Sequence, residues 1–130
     1  MRELAIRSER TEQLIDITQQ VKAAVRDAGV DLGSCSIYCP HTTAGLLVNE
    51  GHDPAVGQDL SRFLRGLVPD GERWEHAEGN APAHIKATLV GTSVWIPIEG
   101  GELRLGRWQA VFFAEFDGPR DRRVWLQIVG

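Results

Sequence analysis

Four histidines stand at His41, His52, His76 and His84, and three of them keep company suited to chemistry. His41 is followed by Thr42 and Thr43, His76 lies among the acids Glu75 and Glu78, and His84 follows Asn80 by four residues. No pair has the HxxxH spacing of a helical zinc motif, so a metal centre would have to be assembled from separate segments. Ordinary hydrogen-bonded or surface histidines are the competing reading. Among the carboxylates, Glu50 closes a strand-like run after Asn49, Asp59 sits on a helix, and Glu115 interrupts an aromatic run on the face of Gln109 and Phe113. A carboxylate in such a run is costly to bury unpaired, so Glu115 is expected to meet a cation, a donor or solvent, most simply as a salt bridge on the outer sheet face. Arg120, Arg122 and Arg123 follow the turn Asp117-Gly118-Pro119. Arginine suits planar recognition of phosphate, although arginines beside acids are more often solvated ion pairs.

The two cysteines, Cys35 and Cys39, fall in a strand-like segment. Strand geometry puts their Cα atoms about 13 Å apart, beyond disulfide reach and too far to share one ion. They are expected to be reduced and half-buried.

Elements to position these groups are legible in the periodicities. Leu4 to Ile6 reads as a short first strand, and Leu14, Ile17, Val21, Val25 and Ala28 recur at helical spacing up to Gly29. Ser34 to Cys39 and Thr43 to Glu50 read as two strands of a hairpin with His41 near its turn. Asp53 caps a second helix opened by Pro54, with Val56, Leu60, Phe63, Leu64 and Leu67 on one face and Pro69 as its stop. Asp70 to Asn80, with Asp70, Glu72, Glu75 and Glu78, reads as a loop, and Pro82 to Val90 as a short helix. The last third alternates as strands do: Val94, Ile96 and Ile98 share a face, as do Trp108, Ala110, Phe112, Ala114 and Phe116, and then Val124, Leu126 and Ile128. The order predicts one α+β domain spanning 1–130, a largely antiparallel β-sandwich with two to three helices.

Bulk properties narrow the function. The 130 residues are 42% hydrophobic, enough for one core. A net charge of -4, from 14 Lys+Arg against 18 Asp+Glu, argues against a nucleic-acid binder. No apolar run has the length of a membrane span, and the chain is expected to be soluble and cytoplasmic.

Taken in register, several short motifs resemble the YjbQ-like family, often labelled secondary thiamine-phosphate synthase. They are His41-Thr42-Thr43-Ala44, Asn49-Glu50 with Asp53-Pro54, Asp59, Trp74-Glu75-His76, His84-Ile85-Lys86, Gly91-Thr92-Ser93, Leu105-Gly106 with Trp108-Gln109, Glu115 and Arg120. Trp74 stands where a tyrosine is common, and Arg107 where a threonine often precedes Trp-Gln. The resemblance implies an α+β sandwich that assembles as a homotrimer. It also implies a transferase joining a hydroxymethylpyrimidine diphosphate to a thiazole phosphate with release of pyrophosphate. Carried onto this chain, the site centres on His41, His76 and His84, with Glu50 and Asp59 as further catalytic residues and Lys86 and Arg120 holding the phosphate of a small phosphorylated ligand. The three imidazoles would bind a divalent ion, zinc by preference, or act without metal in proton transfer. A phosphorylated-ligand-binding trimer without turnover and a metal-assisted phosphate-ester hydrolase share the same residues.

Overall fold

A computed structural model describes residues 1–71 and 74–130. Glu72, counted above in the acidic loop, lies outside the described residues. The chain runs as strand β1 (Arg2–Arg7), strand β2 (Gln13–Asp16), helix α1 (Thr18–Ala28), strands β3 (Leu32–Tyr38) and β4 (Ala44–Glu50), helices α2 (Pro54–Leu67) and α3 (Ala81–Val90), then strands β5 (Ser93–Glu99), β6 (Glu102–Leu103), β7 (Gln109–Glu115) and β8 (Asp121–Val129). They build a five-stranded sheet in the order β1-β8-β3-β5-β6 and a three-stranded sheet in the order β2-β7-β4. Every pairing is antiparallel. The expected α+β sandwich with three helices is therefore present.

The sheets face each other across Cys35, Ile37, Ile96, Ile98, Val124 and Leu126 on one side and Leu46, Val111 and Phe113 on the other, with Ile17, Val21 and Val25 from α1 joining them. Burial of a side chain such as Phe113 contributes about 1.5–3 kcal/mol. The reverse face of the smaller sheet packs Ala114 and Phe116 against Ala83 and Ala87 of α3, with Leu64 of α2 beside them. Strand β7 is thus covered on both faces. That explains why the face of Ala110 and Ala114 and the face of Val111 and Phe113 are both apolar in sequence.

Three expectations need correction. Leu14 does not belong to the first helix: Leu14 and Ile15 lie on β2, paired with Ala114 and Phe113. The helix begins at Thr18, where Asp16 Oδ1 accepts from the Thr18 N–H at 2.9 Å and from its hydroxyl at 2.6 Å. An alternating run followed at once by a helix imitates one helical stripe. Nor do β3 and β4 form a hairpin. β3 lies between β8 and β5, whereas β4 pairs with β7 in the other sheet, so Cys39 to Thr43 carries the chain from one layer to the next. Finally, Cys35 and Cys39 are free but fully buried, not half-buried. Burial pushes the Cys35 thiol up to about 11 and raises that of Cys39 as well. Among the described residues no helix is long and apolar enough to cross a membrane.

Candidate histidine site

His41 lies on the segment that crosses between the sheets. Tyr38 is the last residue of β3, opposite Trp125 on β8. Beyond Tyr38 the β3–β8 ladder ends, and Pro40 has no N–H with which to continue it. The imidazole of His41 fills the gap: its Nε2 lies 3.0 Å from the Arg123 N–H nitrogen and 3.1 Å from the Arg123 carbonyl oxygen. Nε2 accepts from the Arg123 N–H in one neutral tautomer and donates to the Arg123 carbonyl in the other. Burial and then the charge of Arg122 hold the ring below the usual histidine range, against the opposing pull of the Arg123 backbone contact and, less, of Glu115.

Beneath this segment sits a buried ion pair. Glu115 is fully buried, and Arg122 nearly so, with relative exposures of 0% and 8%. Arg122 Nε donates to Glu115 Oε1 at 2.8 Å and its terminal nitrogen to Oε2. The same nitrogen donates to Thr43 Oγ1 at 2.8 Å, Ser8 Oγ donates to Glu115 Oε1 at 2.6 Å, and the Asp117 N–H to Oε2 at 3.1 Å. Burial alone would push the Glu115 carboxyl up, but Arg122, Ser8 and Asp117 together hold it below the usual carboxylate value. The cation expected for Glu115 is present, though deep between the sheets and not on an outer face. Residues 122 and 123 thus grip Thr43 and His41, fixing both sides of the crossing segment.

On its open side that segment borders a cavity of about 600 Å³ lined by Tyr38, Cys39, His41, Thr42, His84, Thr88, Thr92 and Trp125. Tyr38 and Trp125 stack with ring centres 6.1 Å apart. His84 and Thr88 lie four residues apart on one face of α3, and the Thr88 hydroxyl donates to the His84 carbonyl at 2.9 Å. His76 meets His84 edge to face, ring centres 5.0 Å apart, but borders a different cavity with Asp70, Trp74 and Pro82. His84 thus shares a cavity with His41 and a ring contact with His76.

The other residues picked out from the sequence are placed elsewhere. Glu50 is six positions along β4 from Ala44, about 20 Å from the His41 end. Asp59 is exposed and pairs with Arg62 at 2.9 Å. Lys86, two residues and about 200° round α3 from His84, is buried with its Nζ 3.0 Å from Glu12 Oε2 and 5.6 Å from the centre of the Phe116 ring. Arg120 donates to the carbonyl and the carboxylate of Asp117, at 2.7 and 2.9 Å. Sequence reasoning did not single out Ser8 or Tyr38, and it did not pair Arg122 with Glu115. That pairing left a signal, because Arg122 shares parity with Val124 and Leu126, and Glu115 with Val111 and Phe113, so both charges point inward.

A zinc ion with Zn–N near 2.1 Å sets two imidazole centres about 5 Å apart, a spacing that His76 and His84 match. Among the described residues, however, no three potential ligands gather closely enough to hold an ion.

Fold and cavity together define a small α+β sandwich protein with an imidazole-lined pocket where the chain passes between its sheets. Residues 2–130 match the family model described as UPF0047 protein YjbQ-like, and the chain belongs to that family. It is 46% identical to a UPF0047 protein of Methanocaldococcus jannaschii over 125 residues, 96% of this chain and 91% of that one. It is 41% identical to UPF0047 protein YugU of Bacillus subtilis over 100% of this chain and 99% of that one. A crystal structure of a yjbq/upf0047 family protein from Clostridium acetobutylicum superposes with a TM-score of 0.97 at 46% identity, covering 99% of this chain and 100% of that one. A protein of unknown function from Sulfolobus solfataricus gives 0.95 at 32% identity, covering 99% and 95%.

Proposed function

We propose that the chain is a thiamine-phosphate synthase-like transferase whose ligand site is the cavity shared by His41 and His84. The observation that carries this reading is the meeting of two imidazoles from distant segments on one cavity, beside the Tyr38–Trp125 stack. A flat aromatic wall suits a pyrimidine or thiazole ring. In the reaction the thiazole nitrogen attacks the pyrimidine methylene carbon, the carbon–oxygen bond breaks, and pyrophosphate leaves with the electron pair. Orientation and stabilisation of charge on the leaving group are the main tasks. In the tautomer whose Nε2 accepts from the Arg123 N–H, His41 offers Nδ1–H as a donor to a diphosphate oxygen. A divalent ion would need a third ligand brought to the His76–His84 pair, since no three potential ligands gather among the described residues.

The same reading includes a homotrimer, supported by the exposure of Leu32, Phe63 and Trp95 at 70%, 66% and 64%. It also includes a cytoplasmic location, supported by two free thiols. Ligand binding without turnover is the second reading, and one observation favours it: among the described residues no lysine or arginine lines the cavity, and Lys86 and Arg120 are engaged by Glu12 and Asp117.

The test is incubation of the purified chain with both substrates, following thiamine phosphate and pyrophosphate together. Saturable formation of both in equal amounts, lost in His84→Ala, supports the transferase. Affinity without product supports the binding protein, and inorganic phosphate without the thiazole partner supports a hydrolase.

A further inference from the structure

A second cavity of about 500 Å³ lies between α2 and β2, apart from the histidines. Apart from Glu12, whose carboxylate is held by Lys86 at 3.0 Å, its charges separate by sign along its length. On the smaller sheet, Gln13 is opposite Glu115, Asp16 opposite Phe112 and Glu50 opposite Gln109, so Asp16 and Glu50 lie about 10 and 20 Å beyond Gln13. Helix α2 starts at Pro54 beside Glu50 and returns over β2, where a Cβ on Gly57 would sit 3.5 Å from Leu14 Cδ1. Eleven residues later, about 16 Å along the helix, it delivers Arg65 to the end where Arg10 precedes β2.

At the acidic end each carboxylate has one oxygen fixed by nearby backbone. Glu50 Oε2 accepts from the Asp53 N–H at 3.0 Å, Asp53 Oδ1 from the Ala55 N–H at 3.0 Å, and Asp16 Oδ1 from the Thr18 N–H at 2.9 Å. Their other oxygens have no hydrogen-bond partner among the described residues, and a primary ammonium carries three donors. At the basic end neither Arg10 nor Arg65 has a carboxylate within 4.0 Å among the described residues. Two unpaired guanidiniums in one cavity suit bidentate capture of a phosphate or carboxylate.

We propose that this trough is a second ligand site, for a small two-ended molecule whose phosphate or carboxylate is held by Arg10 and Arg65 and whose primary ammonium is held by Glu50 and Asp53, with Asp16 adding negative charge nearby. The site is independent of the histidine cavity, and it gives Glu50 a partner that the histidines cannot reach within one chain.

Calorimetric titration of the full chain with 6-aminohexyl phosphate, 6-aminohexanoate, hexyl phosphate and hexylamine tests it. A two-ended probe is expected to bind at least about tenfold more tightly than either one-ended probe, and the better of the two acids identifies the anionic group. Arg65→Gln and Glu50→Gln, both surface changes, are each expected to weaken that binding about tenfold or more. His84→Ala is expected to leave it unchanged, so failure here is distinct from failure of the histidine site. Equal affinity for one-ended and two-ended probes, no saturable binding of any, indifference to Arg65→Gln, or loss in His84→Ala would each overturn the proposal.

Discussion

Arg123 presents both its backbone N–H and its carbonyl oxygen to Nε2 of His41, at 3.0 and 3.1 Å, just past the end of the β3–β8 ladder. One side chain thereby closes onto β8 and borders a cavity, and Nδ1 is the ring nitrogen that the backbone leaves unengaged.

A pH dependence follows. The folded-state pKa of His41 is lowered, chiefly by burial and then by Arg122, so between the folded and unfolded values the unfolded chain binds more protons. The stability associated with neutral His41 is fully present above the unfolded value of about 6.5 and is lost as pH falls through the folded one. Urea midpoints measured from neutral pH downward should decline more steeply for wild type than for His41→Asn. Nitrogen-15 spectra should show the His41 ring neutral at neutral pH; a doubly protonated ring there would contradict the lowered pKa.

The Glu115–Arg122 pair predicts an asymmetry between breaking a buried pair and replacing it. Glu115→Gln leaves the Arg122 guanidinium buried without its counter-charge and should destabilise by about 3–5 kcal/mol. Glu115→Leu with Arg122→Met removes both charges and should be far milder, or stabilising. Because the folded pKa of Glu115 is depressed, its contribution is present above the unfolded value and is lost as pH falls through the folded one. Glu115→Gln should therefore flatten the acid limb of the stability profile, as denaturant titration at low pH would show.

At the start of α2, Asp53 accepts from the Ala55 N–H at 3.0 Å with Pro54 in the first turn. Asp53→Ala should cost about 1 kcal/mol, measured as a shift of the urea midpoint at constant slope.

Local signals were legible in the sequence wherever the structure depends on neighbours in the chain. The Asp53-Pro54 helix start, the Gly29 stop and the parity of Val94, Ile96 and Ile98 come from single-segment sterics and periodicity. Sheet partnership is a different matter. Nothing between Ser34 and Glu50 says that β3 turns to β8 and β5 while β4 turns to β7, because both strands have the composition of a buried hairpin. The site suffers the same limit. His41 and His84 converge because α3 packs against β4, and Lys86 faces away because helical rotation places it toward Glu12 and Phe116.

The exposed Phe63 on α2 and Trp95 on β5 predict association. Light scattering of the untagged chain at micromolar concentration should report a mass near three chains, and Trp95→Glu or Phe63→Glu should lower it. A stable monomer would remove the trimer from the account.

The histidine cavity is the central claim, and calorimetric titration of thiamine phosphate into wild type, His41→Ala and His84→Ala tests it most directly. Saturable one-to-one binding per chain, weakened about tenfold or more in each variant while the fold persists, is the predicted result. Unchanged affinity in both variants, or no binding to wild type at millimolar ligand, would contradict it.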